Sequence, residues 1–209
     1  MAPDTLVIRQ AVVCASGLVY WAGVAVQAAR IRRRIGHSPN LKPRTAKERL
    51  LWLGWFAVIL TWIGQPLVMT SLAGLPLFAP IGALSATWSL FAGFVLVALG
   101  HAGTYWSYAS LGQSWRIGVN RRETLPLVTT GIYSLVRHPI YSMQILILSG
   151  AALVIPTPLS FAALGLHLVC SYTKAFDEER YLLATHPDAY AKYLSRTGRF
   201  MPRFHRPNR

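Results

Sequence analysis

Five apolar runs alternating with basic clusters constrain this chain more than any other feature of its sequence. The runs cover about residues 6–29, 50–72, 84–108, 140–155 and 159–176. A helix needs roughly 20 apolar residues to cross a ~30 Å hydrocarbon core. The first three runs have that length, and the last two are shorter. Only Pro156, Thr157 and Pro158 separate the last two. Proline lacks the N–H a helix needs and crowds the preceding turn, so the pair is predicted to be a tight helical hairpin.

The placement of charge decides between a nucleic-acid binder and a membrane protein. The chain holds 21 Lys and Arg against 7 Asp and Glu, a formal net charge of +14. The basic residues fall in three blocks. The first runs from Arg30 through Arg44 to Arg49, the second holds Arg116, Arg121, Arg122 and Arg137, and the third extends from Lys174 to Arg209. A nucleic-acid binder gathers its charge on one basic face, whereas clusters alternating with apolar runs follow the positive-inside rule. A charged share of 13% is about half that of a soluble protein. Membrane insertion is expected, and nucleic acid is not an expected partner.

Five spans put the chain ends on opposite faces and all three basic blocks on one face, which the rule makes cytoplasmic. The N-terminus is then outside and the C-terminus cytoplasmic. The linkers at 74–80 and 156–158 carry no charge and fall outside, where Arg9 is the one basic exception. The first run has neither a basic lead-in nor a small-residue cleavage site after it, so it reads as a span rather than a removed signal. Cys14 and Cys170 sit in apolar segments, with no disulfide framework and no metal-ligand spacing. The expected fold is all-α, an integral membrane bundle of about five transmembrane helices with a helical tail from residue 177 on the cytoplasmic surface. Residues 1–108 would form three spans with a basic loop. Residues 109–209 would hold the chemistry.

Residues 131–141, GIYSLVRHPIY, form the densest polar cluster. Pro139 suits the first turn of a helix, and His138 before it is pushed out of helical geometry. Arg137 and His138 thus stand at a helix start, where free N–H groups and the dipole favour an anion. Tyr141 follows one turn later on the same face. Alternatively, Arg137 snorkels to headgroups and Tyr141 belongs to an interfacial aromatic belt. A second cluster, Lys174 to Arg180, contains Asp177, Glu178 and Glu179. Adjacent helical residues point ~100° apart, so one glutamate is expected to meet a ligand while the other pairs with Lys174 or Arg137. The rival reading is a solvated charged helix start. The hairpin brings both clusters to one face. A third, irregular stretch spans Leu111 to Val119 and Leu125 to Thr130. His101 and His167 lie within spans and are expected to be packing residues.

Leu127-Val128, Gly131-Ile132-Tyr133 and Arg137-His138-Pro139-Ile140-Tyr141, followed by Glu178-Glu179, Leu182, Tyr190 and Tyr193, resemble the isoprenylcysteine carboxyl methyltransferase and phospholipid methyltransferase superfamily. The resemblance covers about residues 98–202, and residues 114–119 and 198–202 are closest to a bacterial branch. It implies a multi-pass protein of a bacterial inner membrane that binds S-adenosyl-L-methionine at the cytoplasmic face and methylates a lipophilic substrate, with no metal. Tyr133, His138 and Tyr141 would line the cofactor, and Glu178 or Glu179 would meet its ammonium. The backbone at Leu127, Val128 and Gly131 would pack on the nucleoside. Arg137, with Glu178 the expected catalytic residue, would orient a substrate anion. The isoprenylcysteine branch implies carboxyl O-methylation and the phospholipid branch amine N-methylation. A sterol-type reductase using a nicotinamide cofactor shares a related architecture, and a non-catalytic membrane protein is the remaining alternative. Three positions depart from the family pattern: Met143 where glycine is common, His186-Pro187 in place of Phe-Gly, and Lys174 where arginine is common. The small-residue stretch at 98–104 resembles the phospholipid branch locally, though small residues in a span more often serve helix packing.

Overall fold

A computed structural model of the chain describes residues 3–40, 42–43, 45–116 and 125–203. Arg44, Ile117, Gly118, Val119, Arg121, Arg122 and Arg209, named above, lie outside the described residues. The fold is all-helical. Six α-helices run in the order α1 (Pro3–Ile35), α2 (Ala46–Val68), α3 (Thr87–Leu111), α4 (Pro139–Val154), α5 (Pro158–Thr185) and α6 (Pro187–Arg196). Among the described residues, four stretches are long and apolar enough to cross a membrane: Thr5–Ile35, Ala46–Val68, Thr87–Ser114 and Pro158–Thr185.

The fourth predicted span is α4, with 16 residues. At ~1.5 Å per residue it is about 24 Å long, less than the hydrocarbon core. It has no exposed residue, because the other helices surround it, so its length need not match the bilayer. Large apolar side chains instead face outward from the neighbours, among them Leu53, Phe56 and Leu60 on α2 and Phe91, Phe94 and Leu99 on α3. The interior takes Ser16, Gln65, Ser89, Thr104 and Ser107. Hydrocarbon around the bundle removes the incentive to bury apolar bulk, and close backbone approach with interhelical hydrogen bonds holds the helices together.

The α3–α4 seam shows this packing. Gly93 and Gly150 abut so closely that a Cβ on either would stand 2.6 Å from the other's carbonyl oxygen. A Cβ on Gly100 would stand 2.5 Å from Ile147 Cγ1 and 2.9 Å from the Met143 carbonyl. Gly103 leaves room for the Met143 side chain. Met143 is thus accommodated by a glycine on the facing helix, and the small residues at 98–104 serve packing.

Local chemistry sets the helix ends. Gly36, at φ +78°, ends α1 in the left-handed conformation that glycine adopts without strain. Thr45 and Glu48 form a reciprocal capping box at the start of α2. Thr157 caps α5 by accepting from the Ser160 N–H at 3.2 Å and also accepts from Gln65 Nε2. The predicted hairpin is therefore tied to α2 at its turn.

One feature differs from the sequence expectation. Helix α5 continues unbroken through Asp177 to Thr185, because no residue between Phe176 and Thr185 interrupts it and Ala, Leu, Glu and Arg are good helix formers. It stops at His186, whose place before Pro187 disfavours helical geometry. Arg9 stands near the outer end of the first span, as expected, and is wholly buried there. Its guanidinium donates to the Val154 and Ala86 carbonyls at 2.7 Å each, to Ser85 O at 3.2 Å and to Ser89 Oγ at 3.2 Å. It ties the end of α4 to the start of α3, at the pole opposite the basic blocks.

Because the α3–α4 seam has no spare volume, Gly100→Val should destabilise the bundle by about 1–3 kcal/mol, the usual cost of overpacking. Thermal unfolding in detergent checks this against Gly74→Ala, whose added methyl meets nothing within 4 Å and should leave the midpoint unchanged.

Candidate active site

The basic pole is built by one segment folding back on another. After α6 the chain turns at Gly198, where a Cβ would overlap the Met201 carbonyl. It then runs beside residues 136–138 in an isolated parallel bridge. The Arg137 and His138 N–H groups donate to the Gly198 and Arg199 carbonyls at 2.9 and 3.1 Å, and Ser142 Oγ donates to the Phe200 carbonyl at 2.7 Å. From α6, the Tyr193 hydroxyl donates to the Tyr133 carbonyl at 2.5 Å. Thus the tail holds the Arg-His-Pro segment in place before α4 begins, with Pro139 in the first turn as predicted.

The two glutamates point to different partners. Glu179 is 6% exposed. It receives Arg137 Nε at 3.0 Å, Arg199 Nε at 3.0 Å, Arg199 Nη2 at 2.6 Å and His138 Nε2 at 3.3 Å. Arg199 also lies over the Tyr172 ring, 4.8 Å from its centroid. Glu178, one step round the helix, has a side chain 22% exposed. It accepts from the Tyr141 hydroxyl at 2.9 Å and faces His138 Nδ1 at 3.5 Å, leaving lone pairs for a further donor. Arg137, besides holding Glu179, donates to the carbonyls of Leu194 and Thr197. One glutamate therefore pairs with Arg137, as expected, and Lys174 pairs with neither.

His138 lies between both carboxylates and stacks on Tyr141 at 5.8 Å, which stacks on Trp55 of α2 at 6.4 Å. Burial alone would lower the His138 pKa. The hydrogen bonds and charges of Glu178 and Glu179 outweigh it and raise the value above 6.5. Burial, then the Glu178 charge, pushes the Tyr133 hydroxyl up, so it stays a neutral donor.

A cavity of about 950 Å³ opens beside this cluster. Of the sequence-selected residues, Leu127, Val128, Tyr133, Arg137, His138, Tyr141 and Glu178 line it, whereas Glu179 and Gly131 do not. Gly131, at φ +61°, packs instead on Ser110 of α3 with no room for a Cβ. From its polar mouth the cavity runs inward to an apolar shaft beside Val24, Ile59, Trp62 and Leu148. His186, the departure beside Pro187, hydrogen-bonds the Leu125 carbonyl at 3.1 Å and tethers the 125–128 segment along the cavity. His101 bridges the carbonyls of Val97 and Ser16, at 2.8 and 3.2 Å, which is a packing role. His167 pairs with Ser171 at 3.1 Å and also lines the cavity. Trp55 and Arg199 were not selected as site residues from the sequence, where Arg199 stood only within the 198–202 stretch, because only the fold brings them to the site.

A pH dependence follows from His138. A histidine whose pKa is raised on folding contributes stability that is full below its unfolded value, ~6.5, and lost as pH rises through the folded value. Unfolding in detergent should therefore show stability falling as pH rises above 6.5 toward that higher value. A His138→Gln variant should flatten that slope.

The description phospholipid methyltransferase matches residues 88–188, from the start of α3 through α5 into α6. The cobalt-zinc-cadmium resistance protein CzcN of Cupriavidus metallidurans is 33% identical over 111 residues, 52% of this chain and 50% of its own. The nickel-cobalt-cadmium resistance protein NccN of Alcaligenes xylosoxydans is 29% identical over 109 residues, again 52% of this chain and 50% of its own. The chain thus spans about half the length of the curated relatives it matches. Among the described residues no group of His, Cys, Asp and Glu could hold a metal ion. Residues 88–188 thus match the phospholipid methyltransferase family, part of the superfamily that includes the isoprenylcysteine carboxyl methyltransferases.

Proposed function

We propose that this protein is a membrane-embedded, S-adenosylmethionine-dependent methyltransferase acting on a lipophilic substrate, with the basic pole on the cytoplasmic side. The observation that carries the reading is a single cavity joining a charged, aromatic mouth to an apolar shaft inside the bundle. Its volume is at the upper end of the ~300–1,000 Å³ usual for ligand pockets, ample for a cofactor and the head of a lipid.

The residues at the mouth fit the cofactor. Glu178 presents a carboxylate with free lone pairs to an ammonium, Tyr133 and Tyr141 offer hydroxyls and ring faces, and the non-helical backbone at Leu127 and Val128 offers a surface for a nucleoside. When bound, the cofactor supplies a methyl group already activated on a sulfonium. The protein's part is to hold the two ligands in line and exclude water. His138, held between two carboxylates, fixes Glu178 and, when protonated, lowers the negative charge at the mouth. Arg137 is a positioning residue in this reading, because its guanidinium holds Glu179 and the tail. The shaft draws the acceptor from the bilayer. Carboxyl O-methylation of the isoprenylcysteine type uses an anionic carboxylate as it stands, whereas amine N-methylation of the phospholipid type needs the amine to lose a proton first.

Purified protein in native-lipid discs, incubated with methyl-labelled S-adenosylmethionine, should transfer label to a species extracted with the lipids, and Glu178→Gln should reduce transfer at least ~100-fold. Failure to bind S-adenosylhomocysteine, together with saturable binding of NADPH, would replace this reading with a reductase.

A further inference from the structure

The cavity does not end on hydrocarbon alone. Its lining residues nearest the opposite pole are Tyr20 on α1, Trp62 on α2, Leu148 on α4 and His167 on α5. His167 stands eleven residues before Glu178. That spacing is about three turns, which puts it on the same face of α5 and ~16 Å farther in. The side chain is buried, and its Nε2 meets Ser171 Oγ at 3.1 Å. Nδ1 has no hydrogen bond among the described residues and is not one of the polar atoms sealed in the packing, which leaves it open to the shaft. The polar groups beside it are occupied or shielded: the Tyr20 hydroxyl accepts from Gln144, and the Trp62 N–H is sealed in the packing.

An apolar tail ending against this imidazole would strand Nδ1 without water or partner, which is costly. A hydroxyl in the same place satisfies both groups. Ser171 can donate to Nε2 or accept from it, and Nδ1 then takes the complementary role. A hydroxyl both donates and accepts, so it meets either tautomer, whereas a carbonyl meets only one. We propose that His167 is a specificity-determining residue at the inner end of the shaft, and that the lipophilic acceptor carries a hydroxyl about three helical turns from its methylated head. The assignment rests on the methyltransferase reading above and names its class of substrate, a hydroxylated amphiphile in place of a plain hydrocarbon tail.

Calorimetric titration of the full chain in detergent tests the subsite with dodecanoate, whose extended chain is comparable in length to the shaft, and with ω-hydroxydodecanoate. The wild type should bind the two within a few-fold of each other, whereas a purely apolar shaft would disfavour the hydroxyl about tenfold or more. His167→Leu should weaken ω-hydroxydodecanoate about tenfold, the scale of leaving one buried hydroxyl unpaired. The same variant should bind dodecanoate as the wild type does, which also shows that it is folded. It should equally keep α-hydroxydodecanoate, whose hydroxyl lies at the head. His167→Asn, which places an amide near the Nδ1 position, should stay within a few-fold of wild type for all three. A wild type that rejects ω-hydroxydodecanoate tenfold would overturn the subsite, and so would a His167→Leu protein with an unchanged ratio between the ω-hydroxy and plain acids. S-adenosylhomocysteine titrated beside them reads the cofactor separately. Failure of that binding with the hydroxyl selectivity intact would overturn the methyltransferase reading and leave the subsite standing.

Discussion

The buried carboxylate of Glu179 organises the basic pole. It receives Arg137 from the segment before α4, Arg199 from the tail and His138 from the start of α4, and it stands on α5. Four parts of the chain thus meet at one charge. Removing one partner from such a cluster leaves a charge buried without compensation, at a cost of about 3–5 kcal/mol. The cluster therefore selects one arrangement of the pole. Its consequence for the site is angular. With Glu179 turned to the arginines, Glu178 must point ~100° away, and that direction faces the cavity. The parallel bridge between residues 136 and 198 closes the same join through the backbone.

The opposite pole answers a different constraint. Backbone groups in hydrocarbon have no water to satisfy them, yet the connections at 69–86 and 155–157 leave regular helix. Arg9 supplies donors to four backbone carbonyls there, those of Ser85, Ala86, Leu153 and Val154. The Ile81 N–H donates to the Pro156 carbonyl at 2.7 Å, and Gln65, Thr157 and Ser160 close a side-chain network around the hairpin turn. Between the poles, the glycine seam of α3 and α4 keeps the central helix rigid. It carries His138 and Tyr141 at one end and receives Arg9 at the other.

Local rules made the frame legible in advance. Apolar runs located the helices, Pro156 and Pro158 placed the hairpin, and Pro139 after His138 placed the start of α4. The glutamate pair could be seen to split, because helical geometry forbids both from facing one pocket. Which glutamate faces inward was not legible. Arg199 lies 20 residues from Glu179 and comes close only when the tail folds back, a contact no local pattern encodes. The partners of Arg9 were not legible for the same reason, since they lie 76 to 145 residues away, although its place near the outer end of the first span was. The continuation of α5 past Phe176 was missed because polarity changes there while helix propensity does not.

The central claim is a division of labour between adjacent glutamates, with Glu179 holding the pole together and Glu178 meeting the ligand. Unfolding midpoint and S-adenosylhomocysteine affinity, measured side by side in detergent for Glu178→Gln and Glu179→Gln, test it most directly. The account predicts that Glu178→Gln keeps a near wild-type midpoint and loses affinity, whereas Glu179→Gln lowers the midpoint by several degrees, on the order of the 3–5 kcal/mol cost of breaking a buried pair. A Glu179→Gln protein of wild-type stability with abolished binding, beside a Glu178→Gln protein that binds normally, would contradict it.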